Sequence, residues 1–240
     1  MPTDVYNTKE GKYEEGKGPS IALTGGWKLS TTKFDDVDLT DDKSGFNSAV
    51  YERIIGRDKK GNNILEYAYV TEGTDPLSAA DWETNAKQAV GEYTKQYDIS
   101  TNNARKLDEF IGTGELSFAG HSLGGGLASA NALATGRSAT TFNAAGLSNG
   151  TRSLFTLNRP ANIRAYVVEG EAVSNTQRLL GLRAEGKIVS LPATYLPYIP
   201  WWVPDSQKPN IAIGVINAGL SIYNHTMGVV MDKMDKAGIK

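Results

Sequence analysis

The chain has 240 residues, with 25 Lys and Arg against 27 Asp and Glu, and a net charge of -2. This length suits one large α/β domain, and the near balance of charge gives no sign of the basic face that a nucleic-acid binder normally carries. Cysteine is absent, which excludes disulfides, thiolate nucleophiles and thiolate metal ligands.

Met1 to Tyr6 carry neither the basic start nor the apolar run of a signal peptide, and no window reaches the length of a membrane-spanning helix. The expected location is the cytoplasm, or outside the cell by a route that needs no such signal. Residues 1–45 read as a polar N-terminal segment, loose or edge-like at its start, ahead of a domain over 46–240. Asp35, Asp36, Asp38, Asp41 and Asp42 crowd one stretch of that segment. They lack the Gly and Glu spacing of a calcium loop and read as a solvated acidic loop, so no metal site is expected.

Ser48–Arg57 and Asn63–Thr71 have strand character, and the glycine-bearing linker between them predicts an antiparallel hairpin. From Asp81 to Tyr97, residues Trp82, Ala86, Ala89, Val90, Tyr93 and Tyr97 recur at helical spacing and predict a helix with one core-facing stripe. Glu115–Ala119 reads as a strand and Leu123–Thr135 as a small-residue helix ended by Gly136. Ala139–Asn143 and Ile163–Val168 read as two further strands. Strand–helix–strand order with small loops implies a central, mostly parallel sheet flanked by helices, with the early antiparallel strands beside it.

The segment Leu191–Pro204 is different, because Pro192, Pro197, Pro200 and Pro204 forbid regular structure and Tyr195, Tyr198, Trp201 and Trp202 crowd among them. It is either a rigid loop packed on the core or a lid or acyl-pocket wall that touches lipid. The second reading is preferred, since Tyr and Trp favour boundaries between water and apolar phases.

Gly120-His121-Ser122-Leu123-Gly124 joins a strand to a helix. A G-x-S-x-G pentapeptide in that setting is the pattern of a nucleophile elbow, which stands the serine on a sharp turn with its hydroxyl presented. A serine hydroxyl needs an adjacent base, and the chain has 2 histidines. His121 sits inside the pentapeptide, where packing or hydrogen bonding is its expected role; that leaves His225 as the base. Between Ser122 and His225 lie the carboxylates Glu169, Glu171, Glu185 and Asp205. Glu185 belongs to a charged turn and is expected to be solvated. Glu169 and Glu171 follow a strand end, where catalytic acids gather. Glu171 is preferred, with Asp205 second and Glu169 third. The backbone N–H of Leu123 is one expected oxyanion donor, and the other should come from the loop Glu72-Gly73-Thr74-Asp75.

These residues resemble the class 3 lipase group of α/β-hydrolases. The resemblance rests on Gly120-His121-Ser122-Leu123-Gly124-Gly125, on Gly73-Thr74 followed by Asp81-Trp82 and Asn85, and on a late histidine. It implies Thr74 as the oxyanion donor and Glu171 as the acid. Glu72 stands where that group usually has Arg, and Glu171 where it more often has Asp. Phe142-Asn143-Ala144-Ala145-Gly146-Leu147-Ser148 is similar to a lipase-like branch found in bacterial secreted effectors. The resemblance spans about residues 46–231 and leaves the first 45 unexplained.

The expected activity is serine carboxylic-ester hydrolysis, as a lipase or phospholipase A-type enzyme acting on lipid through an acyl-enzyme on Ser122. It requires no cofactor, allows contact with a membrane surface and involves no nucleic acid. The rival readings are a short-chain esterase or thioesterase with the same residues, and a non-catalytic lipid-binding domain of degenerate hydrolase fold.

Overall fold

A computed structural model of the chain describes residues 1–19, 22–73, 90–171, 181–193 and 224–239. Four two-residue strands come first: β1 (Thr8–Lys9), β2 (Lys12–Tyr13), β3 (Lys28–Leu29) and β4 (Thr40–Asp41). Then follow β5 (Phe46–Arg57), β6 (Asn63–Thr71), helix α1 (Val90–Ile111), β7 (Glu115–His121) and α2 (Leu123–Thr135). The remainder is β8 (Ser138–Phe142), α3 (Asn149–Leu154), β9 (Ile163–Val168), β10 (Lys187–Leu191) and α4 (Met227–Lys236).

The main sheet runs β10-β9-β8-β7-β6-β5-β3, with β4 also paired to β5. The strands from β6 to β10 are parallel, while β3, β4 and β5 are antiparallel additions at one edge. This mostly parallel sheet with flanking helices has the α/β-hydrolase architecture. From β6 onward, each strand is laid down on the same side of its predecessor. Right-handed crossovers built in one direction place their helices on one face. On that face α1 and α2 pack over Val50, Tyr69, Phe118, Ala139 and Ile163.

The opposite face must be covered by other means, and the two ends of the chain supply the cover. Met1, Val5, Tyr6 and Trp27 pack over Ala49, Tyr51, Ala68, Val70 and Ala119. Helix α4 packs Met227, Val229 and Val230 over Tyr166, Val168 and Leu191. A cavity of about 240 Å³ lies along the seam between these covers; Met1, Met227, Met231, Met234, Trp27 and Phe142 line it. Thr3 Oγ1 reaches Met231 Sδ across the seam at 3.7 Å.

Two sequence expectations change. The helix expected to end at Tyr97 continues to Ile111. Its buried side past Tyr97 mixes Ala104 and Leu107 with Ser100, Thr101 and Asn103, whose polar atoms are bonded, so the apolar stripe is interrupted there. Trp82, Ala86 and Ala89 lie outside the described residues. The carboxylate of Glu185 is not solvated but ion-paired with Arg152, its side chain 15% exposed. No helix among the described residues is long and apolar enough to cross a membrane.

The N-terminal cover is anchored by Asp4, which is 1% exposed and accepts hydrogen bonds from Tyr13 and Tyr51 at 2.8 Å each. Burial and this carboxylate push both phenols well above the ordinary tyrosine value, so both remain donors. Tyr51→Phe removes one donor from a buried carboxylate. The urea unfolding midpoint should fall by the equivalent of about 1–3 kcal/mol; an unchanged midpoint would show that the bond adds nothing to stability.

Candidate active site

The junction of β7 and α2 has the geometry of an elbow. Ser122 adopts φ 58° and ψ -126°, a conformation that L-residues rarely take. Its N–H donates to Phe142 O at 3.0 Å, and its carbonyl accepts from Ala145 N at 2.9 Å and Gly126 N at 3.2 Å. Neighbouring glycines make room for this turn. A Cβ on Gly120 would lie 2.2 Å from Gly124 O, and one on Gly124 would lie 2.3 Å from Thr71 O. Leu123 is the first residue of α2, where helix geometry leaves the N–H without an intrahelical carbonyl.

His225 stands just ahead of α4. Its Nε2 lies 2.9 Å from Ser122 Oγ, and its Nδ1 lies 2.5 Å from Glu171 Oε2. Ser122 and His225 are each 2% exposed, and Glu171 is fully buried. A local turn explains why Glu171 rather than Glu169 reaches the imidazole. Glu171 N–H donates to Val168 O at 3.3 Å, and Gly170 takes φ +72° at the third position of the turn. That position demands a positive φ, which glycine adopts at no steric cost. The turn leaves Glu169 exposed and returns Glu171 to the interior. The other candidate acid, Asp205, lies outside the described residues.

His121 projects from β7 toward the face covered by α4, because side chains alternate along a strand and its register partner is Phe142. Its Nε2 lies 2.6 Å from the backbone carbonyl of His225, and the two rings are 4.7 Å apart. A carbonyl only accepts, so Nε2 carries the proton that is donated. Burial foremost, and then the neighbouring His225, lowers the His121 pKa from 6.5 to about 3, which keeps the ring neutral.

Two residues at this site carried no clear sign in the sequence. Asn143, fully buried at the end of β8, donates through Nδ2 to the carbonyls of Asn224 at 3.1 Å and His225 at 3.0 Å. Its Oδ1 accepts from Val168 N at 2.9 Å. Tyr6 brings its hydroxyl from the N-terminal cover to Gly73, beside the Ser122 turn. The position a Cβ on Gly73 would take is 3.2 Å from both Tyr6 OH and Ser122 Cβ. Glu72 is held by the Asn47 side chain, and its N–H donates to Asn47 O at 3.0 Å. Thr74, Tyr195, Tyr198, Trp201 and Trp202 lie outside the described residues. Among the described residues, no group of three or more His, Cys, Asp or Glu could hold a metal.

The depressed His121 value fixes a direction for stability against pH. As the pH falls, the unfolded chain takes up this proton near 6.5 and the folded chain only near 3. The stabilising contribution is therefore complete above 6.5 and is lost progressively between 6.5 and 3. Below 6.5, the unfolding free energy of the native chain should fall faster than that of His121→Gln, by up to about 1.4 kcal/mol per pH unit. Urea titrations at stepped pH read this directly, and equal slopes would show that His121 is not held neutral.

The chain is similar to a known protein in sequence and matches one protein family. Extracellular phospholipase A1 of Serratia liquefaciens is 35% identical over 161 residues, covering 62% of this chain. The chain spans only 45% of that protein's length. A Rhizomucor miehei lipase–propeptide complex carrying a deletion superposes with a TM-score of 0.45 at 15% identity, over 69% of this chain and 56% of that one. The native form of the same complex gives 0.41 at 16% identity, over 62% and 53%. The family described as phospholipase-like, with a Tle-like phospholipase domain, matches residues 3–194. With most of its length matched, the chain belongs to this phospholipase-like family.

Proposed function

We propose that this domain hydrolyses acyl esters of phospholipids as a phospholipase A-type serine hydrolase. The observation that carries the reading is the hydrogen-bonded line from Glu171 through His225 to Ser122, at 2.5 and 2.9 Å. Ser122 Oγ attacks the ester carbonyl carbon while His225 Nε2 takes the hydroxyl proton. Glu171 holds the Nδ1–H tautomer and stabilises the imidazolium that forms. The developing oxyanion is met by the Leu123 N–H at the start of α2 and by Thr74. His225 then gives its proton to the departing alcohol. Water, deprotonated by the same imidazole, releases the acyl chain and restores Ser122. No metal or cofactor enters these steps.

Family membership supports a lipid ester as substrate. The Serratia relative is a phospholipase A1 and extracellular, which supports a phospholipid substrate and a place of action outside the producing cell. Tyr195, Tyr198, Trp201 and Trp202 are assigned to lipid contact on the strength of their residue types.

A fluorophosphonate should label the native chain at Ser122 and leave Ser122→Ala unlabelled; absence of labelling in the native chain would overturn the serine mechanism. Glu171→Gln should lower kcat by roughly 10³–10⁴-fold with the fold intact. Full activity in that variant would transfer the acid's role to Asp205. Replacing Trp201 and Trp202 by Ala should depress hydrolysis of long-chain phospholipid in vesicles while sparing short soluble esters, as paired assays would show. Equal loss on both substrates would reject a lipid-contact role.

A further inference from the structure

The line from Glu171 to Ser122 works only if the His225 ring sits correctly between two fixed groups. Side-chain torsions turn the ring but do not place its Cα, so something must hold the backbone of residue 225. Its carbonyl oxygen is gripped by two side chains. His121 Nε2–H donates at 2.6 Å and Asn143 Nδ2–H at 3.0 Å, satisfying both lone pairs of that oxygen.

Neither donor stands alone. His121 is covalently next to Ser122, so movement of the nucleophile turn is carried directly to the base. Asn143 ties the acid's strand as well. Its Oδ1 accepts from Val168 N at 2.9 Å, at the start of the turn that delivers Glu171, and its own N–H donates to Tyr166 O at 2.8 Å. The preceding residue, Phe142, accepts from Ser122 N–H. Asn143 itself takes φ 43°, a left-handed conformation that Asn adopts more readily than most residues.

We propose that His121 and Asn143 are positioning residues, whose shared grip on the His225 carbonyl sets the imidazole between Ser122 and Glu171. Neither touches the reacting atoms; both act through the backbone of residue 225. A misplacement on the order of 1 Å costs roughly 10²-fold in rate, which sets the size of the expected effect. The inference rests on the proposed roles of Ser122, His225 and Glu171.

The test compares His121→Leu and Asn143→Ala with the conservative His121→Gln, whose amide keeps an N–H donor. Fluorophosphonate labelling is followed to completion, so that rates are expressed per reactive Ser122. His121→Leu and Asn143→Ala should label fully but about 10- to 100-fold more slowly. On an ester substrate kcat should fall with KM unchanged, and His121→Gln should recover most of the rate. A second readout needs no turnover: the downfield proton resonance of His225 Nδ1–H should weaken or shift in His121→Leu and Asn143→Ala and return in His121→Gln. Circular dichroism identifies any variant that fails to fold, in which case the folded variant at the other position carries the comparison with native. Native per-site rates and an unchanged resonance in folded His121→Leu and Asn143→Ala would overturn the proposal while leaving the serine mechanism standing. A native chain that never labels would instead overturn the serine mechanism, and the resonance would still decide whether the grip positions His225.

Discussion

The backbone conformation at Ser122 is the constraint around which the rest of the domain is arranged. A non-glycine residue at φ 58°, ψ -126° costs on the order of 1–3 kcal/mol and persists only when its surroundings hold it there. They do so from both sides. The Ser122 carbonyl accepts from the turn of α2 and from Ala145, and its N–H is taken by the last residue of β8. Gly120, Gly124 and Gly125 bring β7, α2 and the 144–145 loop closer than any Cβ would allow. The strain is thus supported by the contacts that join the central strand to its first helix and its neighbouring strand.

The same neighbourhood shows how a low dielectric is used with few charges. His121 and His225 lie ring to ring in a buried space, and two imidazolium ions there would repel strongly. Burial keeps His121 neutral, so one ring acts as a fixed donor while the other faces a carboxylate and a hydroxyl. Two identical side chains thereby occupy different roles, separated by what each nitrogen meets.

Much of this was legible in the residues themselves. The hairpin β5–β6, the strand–turn–helix at Ser122 and the strand ending at Val168 were marked by alternation, glycine and small-residue runs, and their observed bounds lie close to those expected. That Glu171, not Glu169, turns inward follows from the positive φ of Gly170, which only the backbone reveals. What escaped reading depended on distant partners. The second half of α1 buries Ser100, Thr101 and Asn103, whose burial is sensible only once Asn131, Tyr97 O and Tyr69 OH are in place. The strand β10 is short and mostly exposed, and it exists because β9 offers an open edge. The N-terminal cover looked polar because its few apolar residues, Val5, Tyr6 and Trp27, are spread over more than twenty positions.

That cover and α4 meet along a seam lined by Met1, Met227, Met231 and Met234, the four methionines of a chain that has no cysteine. The whole sulfur content of these 240 residues is therefore gathered at one junction. Oxidation of a thioether converts a flexible apolar side chain into a polar, chiral one. In this molecule such damage would not scatter through the core but would collect where the two end segments close the sheet. There each added oxygen would set a polar group between α4 and the strands just past His225.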